Sequence, residues 1–188
     1  MKNQKSVIWI SLCLVLLFTL VSAGRAATLH PIVCDSPYAL CNAAACQQIP
    51  NTKDRALCTC SMWEGKNIGF SSCKQRAKQA TLHEQTKLLS TFSFGGMHYK
   101  YMTCPSGKPW TTCLDQSCLV DKNDPRRAYC NCKIQEGTPY VTFAGMCEKN
   151  ACDKSMWSGA KVQDNLHFMK LLQEAMHVDK PLMEQCTK

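Results

Sequence analysis

Residues 37–65 read PYALCNAAACQQIPNTKDRALCTCSMWEG, and residues 109–137 read PWTTCLDQSCLVDKNDPRRAYCNCKIQEG. Aligned without a gap, the two stretches are identical at 10 of 29 positions. They share the pattern P-[YW]-x2-C-x4-C-x11-C-x-C-x3-E-G. Self-similarity at one fixed spacing predicts a tandem duplication of a single supersecondary unit.

The cysteines extend this match beyond the quoted stretches. Successive cysteines are separated by 6, 4, 11, 1 and 12 residues in the first unit and by 8, 4, 11, 1 and 14 residues in the second. The two sets are Cys34, Cys41, Cys46, Cys58, Cys60 and Cys73, and Cys104, Cys113, Cys118, Cys130, Cys132 and Cys147. Cys152 and Cys186 have no counterpart in the first unit. Because they flank a predicted C-terminal helix, we predict that they pair with each other.

The N-terminal residues predict an export signal. The lysine-containing start MKNQK precedes a charge-free apolar run over residues 7–21, and the small-residue segment SAGRAA follows at 22–27. That order is typical of a cleaved signal peptide, with cleavage after Ala23 or after Ala26. We assign residues 1–26 to the signal. The run is short for a bilayer span, and no later run is long enough, so we expect a secreted protein, or a periplasmic one if a bacterial cell retains it.

The predicted export also indicates whether the cysteines are disulfide-bonded or free. The chain has 15 cysteines, and Cys13 lies in the predicted signal, which leaves fourteen. An even number in an oxidising compartment predicts seven disulfides and no free thiol. Cleavage lowers the net charge from +8 to +5 or +6, because the signal contains basic residues and no acidic ones. Charged residues at 19% and apolar residues at 45% exclude a disordered tail or a long coiled coil.

The local patterns predict a small disulfide-rich α+β fold. In each unit the C-x4-C segment suits a short helix, and the stretches at 55–63 and 127–135 read as strands of a β-hairpin that turns at Glu-Gly. A helix is predicted to follow over 74–92. Alternation along a strand points both cysteines of C-x-C to the core, toward different partners. Further pairing within a unit stays open, since six cysteines allow many connectivities.

A C-terminal amphipathic helix completes the expected architecture. Leu166, Met169, Leu172 and Met176 recur at steps of three and four residues, which is typical of one helix face. Unit 1 is therefore assigned to residues 27–96 and unit 2, with this helix, to residues 97–188.

Catalytic, cofactor and metal motifs do not occur in the sequence. It contains neither H-E-x-x-H nor G-x-S-x-G. Glu64 and Glu136 recur between the units but have no repeated partner carboxylate, as paired acid catalysis requires. C-x-C occurs once per unit, whereas zinc sites favour C-x2-C pairs. We therefore expect no catalytic residue, no cofactor and no metal site.

Two groups of side chains are candidates for binding. Tyr38 and Trp110 occupy equivalent repeat positions and, with Trp63 and Tyr140, are candidate sugar-stacking platforms, although such rings also pack against disulfides. The spacing differs from that of six-cysteine chitin-binding modules, which lack this C-x-C. The basic residues Lys74, Arg76 and Lys78 suit either a solvated helix face or docking on an anionic surface. Nucleic acid is not expected, because this cluster has no interleaved aromatic residues.

The loops at 47–54 and 119–126 have equal length and different sequences, so they are candidate contact surfaces. We expect a secreted, non-catalytic protein that binds an extracellular protein or glycan, such as a bacterial exoprotein acting on a host or cell-surface target. One alternative is a protease inhibitor that presents Arg55 or Arg127 to a trypsin-like pocket. The other alternative is a carbohydrate-binding module.

Overall fold

The computed structural model describes residues 30–76, 80–82, 85–94, 99–143, 147–179 and 183–186. The predicted signal peptide lies outside these residues. The strands are β1 (Ile32–Gln48), β2 (Arg55–Gly69), β3 (Ala80–Leu82), β4 (Gln85–Thr91), β5 (Tyr99–Cys104), β6 (Trp110–Thr112), β7 (Ser117–Val120), β8 (Arg127–Gln135), β9 (Tyr140–Thr142), β10 (Met156–Trp157), β11 (Ala160–Lys161) and β12 (Met183–Gln185). The helices are α1 (Cys73–Arg76), α2 (Ala151–Lys154) and α3 (Val162–Met176).

Strands of both units form one sheet that closes into a barrel. The order is β10–β1–β2–β8–β7–β4–β3, with β6 also beside β8. The barrel closes because β4 pairs in parallel with β1, where Ala39 lies opposite Ser90. The antiparallel pair of β2 and β8 joins the two units, and Cys58 lies directly opposite Cys130. These two cysteines occupy the same position in the two quoted stretches, so the units meet around an approximate twofold axis.

Each unit contributes its last barrel strand to the other unit. Strand β4 of unit 1 pairs with β7 of unit 2, and β10 of unit 2 pairs with β1 of unit 1. A serine fastens each exchanged strand. Ser158 Oγ donates a hydrogen bond to the carbonyl of Cys41, and Ser90 Oγ donates the matching bond to the carbonyl of Cys113. Neither unit therefore completes its share of the barrel alone.

The interior of the barrel is packed with disulfides. The four interior bonds are Cys41–Cys60, Cys46–Cys58, Cys113–Cys132 and Cys118–Cys130. Their sequence separations of 19 and 12 residues are the same in both units. The sulfurs of Cys41 and Cys130, which belong to different disulfides, lie 3.4 Å apart. The expectation that the two cysteines of each C-x-C point inward to different partners is confirmed.

A second layer covers one side of the barrel. It contains the four-stranded sheet β11–β9–β5–β12 and the helix α3. Phe168 of α3 packs edge-on against Phe70 and Phe92, with ring centroids 6.0 and 6.1 Å apart. The predicted C-terminal helix is confirmed, but its buried face differs from the predicted stripe: Phe168 and Leu172 are buried, whereas Leu166 is 49% exposed.

The predicted helices at the C-x4-C segment and at 74–92 are wrong. Residues 41–46 lie within β1, and residues 74–92 include most of α1 together with β3 and β4. The structure is consequently a mainly β-sheet barrel rather than a helix-and-hairpin repeat. The reason is tertiary: pairing across the units supplies hydrogen-bond partners that local propensity cannot anticipate.

The predicted hairpin at Glu-Gly is also wrong. Strand β2 continues through Glu64 and Gly65, because β1 pairs with it on both sides of this point. In unit 2 the chain bends at Gly137, which has a φ of 78°, and β9 then pairs with β5 instead of β8. The hairpin partner of each C-x-C strand is the strand that precedes it.

Three disulfides lie outside the barrel and differ between the units. They are Cys34–Cys73, Cys104–Cys152 and Cys147–Cys186. The seven bonds use all fourteen predicted cysteines, but the predicted pairing of Cys152 with Cys186 is wrong. Helix α2 brings Cys152 to Cys104 of β5, just as α1 brings Cys73 to Cys34 of β1. The structural equivalent of Cys73 in unit 2 is therefore Cys152, whereas the cysteine spacing indicated Cys147.

Candidate functional site

The outward face of β2 and β8 exposes two large apolar side chains. Leu57 on β2 is 45% exposed, and Tyr129 on β8 is 36% exposed. Alternation turns the neighbouring cysteines inward, so these side chains point outward. Thr59 lies opposite Tyr129, and Asn131 lies opposite Leu57. Leu57 and Tyr129 occupy matching positions in the two quoted stretches, and the structure brings them onto one face.

Basic residues flank this outer face. Arg55 donates from Nε to Asn131 Oδ1 and from Nη2 to the Asn131 carbonyl, both at 2.8 Å. Arg127 Nε lies 3.3 Å from a carboxylate oxygen of Asp124. Lys133, opposite Arg55, is exposed. The two candidate inhibitor arginines are therefore strand residues, each tied to a neighbouring polar side chain.

The two predicted contact loops lie at opposite ends of the β2–β8 pair. The carbonyl of Asp54 accepts a hydrogen bond from the Ile134 N–H, and the carbonyl of Arg126 accepts one from the Met62 N–H, both at 2.8 Å. These bonds tie each loop to the strand of the other unit. The loops and the outer face consequently form one continuous side of the barrel. The ends of the predicted segments, 47–48 and 119–120, belong to β1 and β7.

The loop of unit 2 is organised by two carboxylates. The carboxylate of Asp121 accepts a hydrogen bond from the N–H of Asn123 at 2.9 Å and another from the hydroxyl of Tyr129 at 3.0 Å. These bonds lower the pKa of Asp121, and the bond to Asp121 raises the pKa of Tyr129. Hydrogen bonds from Arg126 lower the pKa of Asp124 in the same way. Tyr129 is thus held in place at the edge of the loop.

The sugar-platform prediction for Tyr38 and Trp110 is corrected by their burial. Each is only 1% exposed, so neither ring offers a face to a ligand. Trp110 instead stacks on Tyr140, with ring centroids 5.1 Å apart and planes 10° apart. Burial raises the pKa of Tyr140 to about 12. Of the four aromatic candidates, Trp63 is the one that remains partly exposed.

The predicted basic cluster is not one surface. Lys74 is exposed, but Arg76 is only 2% exposed, and Lys78 lies outside the described residues. Arg76 donates to the carbonyl of Ile32 at 2.8 Å and to Asn67 Oδ1 at 3.0 Å. Its role in the structure is to join the ends of β1 and β2.

The burial of Arg76 is accompanied by a carboxylate from the other unit. Desolvation lowers the pKa of Arg76, and the charge of Asp115 partly opposes that shift. Asp115 accepts hydrogen bonds from the Phe70 N–H at 2.6 Å and from the Ser71 N–H at 3.2 Å. A Cβ added at Gly69 would lie 2.8 Å from Asp115 Oδ1, so this junction requires glycine at that position.

Both units carry an irregularity at the C-x4-C segment. In unit 1, Leu40 lies opposite Ser61 and Ala45 lies opposite Thr59. Four residues of β1, 41–44, therefore face one residue of β2, Cys60, and form a bulge. In unit 2 the equivalent segment separates β6 from β7. Such a bulge bends the strand and leaves backbone groups outside the ladder. Each bulge borders a cleft in the barrel surface.

The cleft at the first bulge is named here the Trp63 cleft. Its volume is about 200 Å³, and its lining consists of Leu40, Asn42, Ala43, Ala44, Thr59, Ser61, Trp63 and Phe143. Asn42 Nδ2 donates to the carbonyl of Ser93 at 2.7 Å, while the buried Oδ1 of Asn42 accepts no hydrogen bond from the described residues. Of this site, the sequence indicates Trp63 as an aromatic candidate but not Asn42 or the alanines, because their segment is predicted to be helical. The outward alternation of Thr59 and Ser61 was the available signal.

The cleft at the second bulge is named here the Phe168 cleft. Its volume is about 230 Å³, and its lining consists of Phe70, Phe92, Trp110, Thr112, Leu114, Gln135, Ala160, Lys161, Asp164 and Phe168. Gln135 holds the repeat position that Trp63 holds in the other cleft. The C-x4-C segment therefore borders a cleft in both units. The Trp63 cleft of unit 1 has polar side chains beside an aromatic wall, whereas the Phe168 cleft of unit 2 is largely aromatic.

The clustered cysteine sulfurs of the barrel belong to disulfides. Groups such as Cys41, Cys118 and Cys130 have sulfur atoms within 4.8 Å of one another. Each of these sulfurs is bonded to a partner cysteine, so in this state none is a thiolate ligand. The cluster is core packing.

Comparison with protein-family models, with curated proteins and with solved structures finds no match in any of the three. Among the described helices, none is long and apolar enough to cross a membrane.

Proposed function

We propose that this protein is a secreted, non-catalytic binding protein of two duplicated units. Its contact surface is the outer face of β2 and β8 together with the two flanking loops. The observation that carries the proposal is the joint exposure of Leu57 and Tyr129 on that face. The partner is an extracellular protein or glycan-bearing surface, and no catalytic residue or cofactor is assigned.

The construction of the barrel supports a binding role. Four disulfides lie directly beneath the outer face: two tie β2 to β1, and two tie β8 to the segment that precedes it. A rigid surface loses less conformational entropy on association than a flexible one, which favours affinity. Seven disulfides also suit an oxidising compartment, in agreement with the predicted export signal.

The inhibitor alternative receives less support from the geometry. An inhibitor needs a basic side chain that projects from an exposed loop into the protease. Arg55 lies in β2 and bonds to Asn131, and Arg127 lies in β8 and pairs with Asp124. Inhibition of trypsin by the wild-type protein, lost in the Arg127→Ala variant, would restore this alternative.

The test is saturable binding of the fluorescein-labelled mature protein to intact epithelial cells and to intact bacterial cells, read by flow cytometry. The expected result is saturable binding to one cell type that unlabelled protein displaces. Leu57→Ser and Tyr129→Ser together should weaken it by about tenfold or more, because central apolar contacts carry most binding energy. Leu166→Ser is the matched control, since Leu166 is 49% exposed on α3.

Two results would contradict the proposed contact surface. One is the absence of saturable binding to both cell types. The other is an equal loss of binding in the Leu166→Ser control, which would show that the effect is not specific to the outer face. A positive result in a screen for hydrolase activity would contradict its non-catalytic part.

A further inference from the structure

We propose that the Trp63 cleft binds a single neutral pyranose ring, as a free sugar or as the terminal residue of a glycan. The inference rests on the proposed function and names the class of ligand. Sugar rings are recognised by an aromatic side chain that covers the C–H face, together with polar groups that reach the hydroxyls. The Trp63 cleft combines both.

The aromatic wall is Trp63. It is half-buried on β2, where its backbone lies directly opposite that of the buried Tyr38 on β1. Phe143, from unit 2, forms part of the lining. Phe143 in turn packs edge-on against Phe94, with ring centroids 5.5 Å apart. The Phe143 side of the cleft is therefore held by contacts that no ligand has to create.

The polar groups lie beside this wall. Thr59 and Ser61 are exposed on the outward side of β2, and no hydrogen bond joins either hydroxyl to a described residue. Asn42 is buried, and its Oδ1 is an acceptor without a partner in the described part of the chain. A buried polar atom left unpaired costs free energy, and a ligand hydroxyl would supply the missing bond once the Asn42 side chain turns its Oδ1 toward the cleft. Three polar side chains thus converge on one small space.

The space is open because of two alanines. Ala43 and Ala44 hold the repeat positions of Asp115 and Gln116. In unit 2 these longer side chains reach neighbouring groups: Asp115 bonds to the N–H of Phe70, and Gln116 accepts a bond from Arg55 at 3.4 Å. With alanine, nothing extends from the bulge to fill the cleft. The opening is a consequence of side-chain size at two positions.

The lining also indicates which sugars fit. None of its eight residues is ionisable, so the cleft offers no counter-charge to an acidic sugar. Its volume of about 200 Å³ is below the range of about 300–1,000 Å³ for drug-sized sites, and suits one ring. The Phe168 cleft differs, because its lining has five aromatic or leucine side chains and the charged residues Lys161 and Asp164.

The test uses the full mature protein with its disulfides intact. The probes are the methyl glycosides of galactose, glucose, mannose and N-acetylglucosamine, with sialic acid as the charged comparison, measured by calorimetry and saturation-transfer NMR. At least one neutral glycoside is expected to bind, whereas sialic acid is not. Trp63→Ala should weaken binding by about tenfold or more, and Trp63→Phe should retain part of it.

Two further variants separate loss of binding from loss of folding. Ala43→Phe fills the cleft from an exposed bulge position and leaves Trp63 in place, so binding should be lost while the melting temperature is retained. Gln135→Ala is the matched control at the position equivalent to Trp63, and it should bind as the wild type does. Absence of binding by all four neutral glycosides overturns the inference, and so does unchanged binding in Ala43→Phe.

The sugar inference and the proposed function can fail separately. If no glycoside binds but cell binding still depends on Leu57 and Tyr129, the sugar site is overturned and the contact surface stands. If a glycoside binds through Trp63 while the Leu57 and Tyr129 variants bind cells normally, the sugar site is supported and the proposed contact surface is overturned.

Discussion

The bulge of unit 1 and the bulge of unit 2 share their anchors and differ in their side chains. Both are bounded by disulfides with separations of 19 and 12 residues, and a serine from the exchanged strand fastens each. Asp115 in the second bulge has a φ of 56° and bonds across to unit 1, whereas Ala43 in the first does neither. Shared cysteines thus maintain the barrel, and the unshared side chains decide what each cleft contains.

The largest expected effect concerns the shared anchors. Cys46→Ala with Cys58→Ala should lower the free energy of unfolding by about 5 kcal/mol, because it removes both a cross-link and core volume. The equivalent change, Cys118→Ala with Cys130→Ala, should cost a similar amount. Urea unfolding of both variants measures this. Markedly unequal losses would show that the two units do not carry equal shares of the core.

A smaller effect is expected where the bulges differ. Asp115→Ala should cost about 3 kcal/mol, because it leaves the Phe70 N–H unpaired and removes the carboxylate that accompanies buried Arg76. Asp115→Asn keeps an acceptor and should cost less. The matched control is Ala43→Asp, a change at an exposed position that should leave stability nearly unaltered. Equal losses at the two positions would contradict the assigned role of Asp115.

The smallest change in stability is expected at Tyr140, which lies opposite Cys104 in unit 2. The corresponding residue of unit 1, opposite Cys34, is Asn67. The Asn67 side chain is hydrogen-bonded, whereas the Tyr140 hydroxyl has no partner among the described residues. Tyr140→Phe should therefore raise stability at neutral pH by about 1 kcal/mol. Thermal unfolding of the two proteins checks this, and a destabilised variant would reveal a bond to the hydroxyl.

The same variant makes a prediction about alkaline pH. The pKa of Tyr140 is raised to about 12 in the folded protein, against about 10 in an unfolded chain. Because the folded state disfavours the ionised hydroxyl, the stability of the wild type does not change with this group below pH 10 and falls as the pH rises from about 10 through about 12. The wild type should lose stability over this window more steeply than Tyr140→Phe. If the free energy of unfolding fell equally with pH in the wild type and in Tyr140→Phe, the raised pKa of Tyr140 would be contradicted.

Local patterns anticipated the parts of the fold that depend on near neighbours. The alternation in C-x-C placed both cysteines inside, and apolar residues at steps of three and four located α3, although Leu166 of that pattern lies exposed. The residues 41–46 were misassigned because alanine favours helix, whereas the structure anchors this segment to Ser158, more than a hundred residues away. Burial of Arg76 was invisible for the same reason, since its neighbour Asp115 belongs to the other unit.

The candidate site was only partly foreseeable. Strand alternation is enough to place Leu57, Thr59 and Tyr129 on an outward face, but no pattern joins β2 to β8 before the barrel is known. Trp63 was included among the aromatic candidates, together with rings that proved to be core residues. What separates it from them is burial, which only the packed structure shows.

By itself the sequence showed the two matching stretches, the fourteen cysteines that follow the predicted signal, and the position of the C-terminal helix, because each depends on spacing along one chain. Only the tertiary structure decided that the units exchange strands, that Cys152 pairs with Cys104, and that a cleft opens beside Ala43 and Ala44. Strand pairing and disulfide pairing join residues that are distant in sequence. Such contacts are selected by closure of the whole barrel, which no local segment encodes.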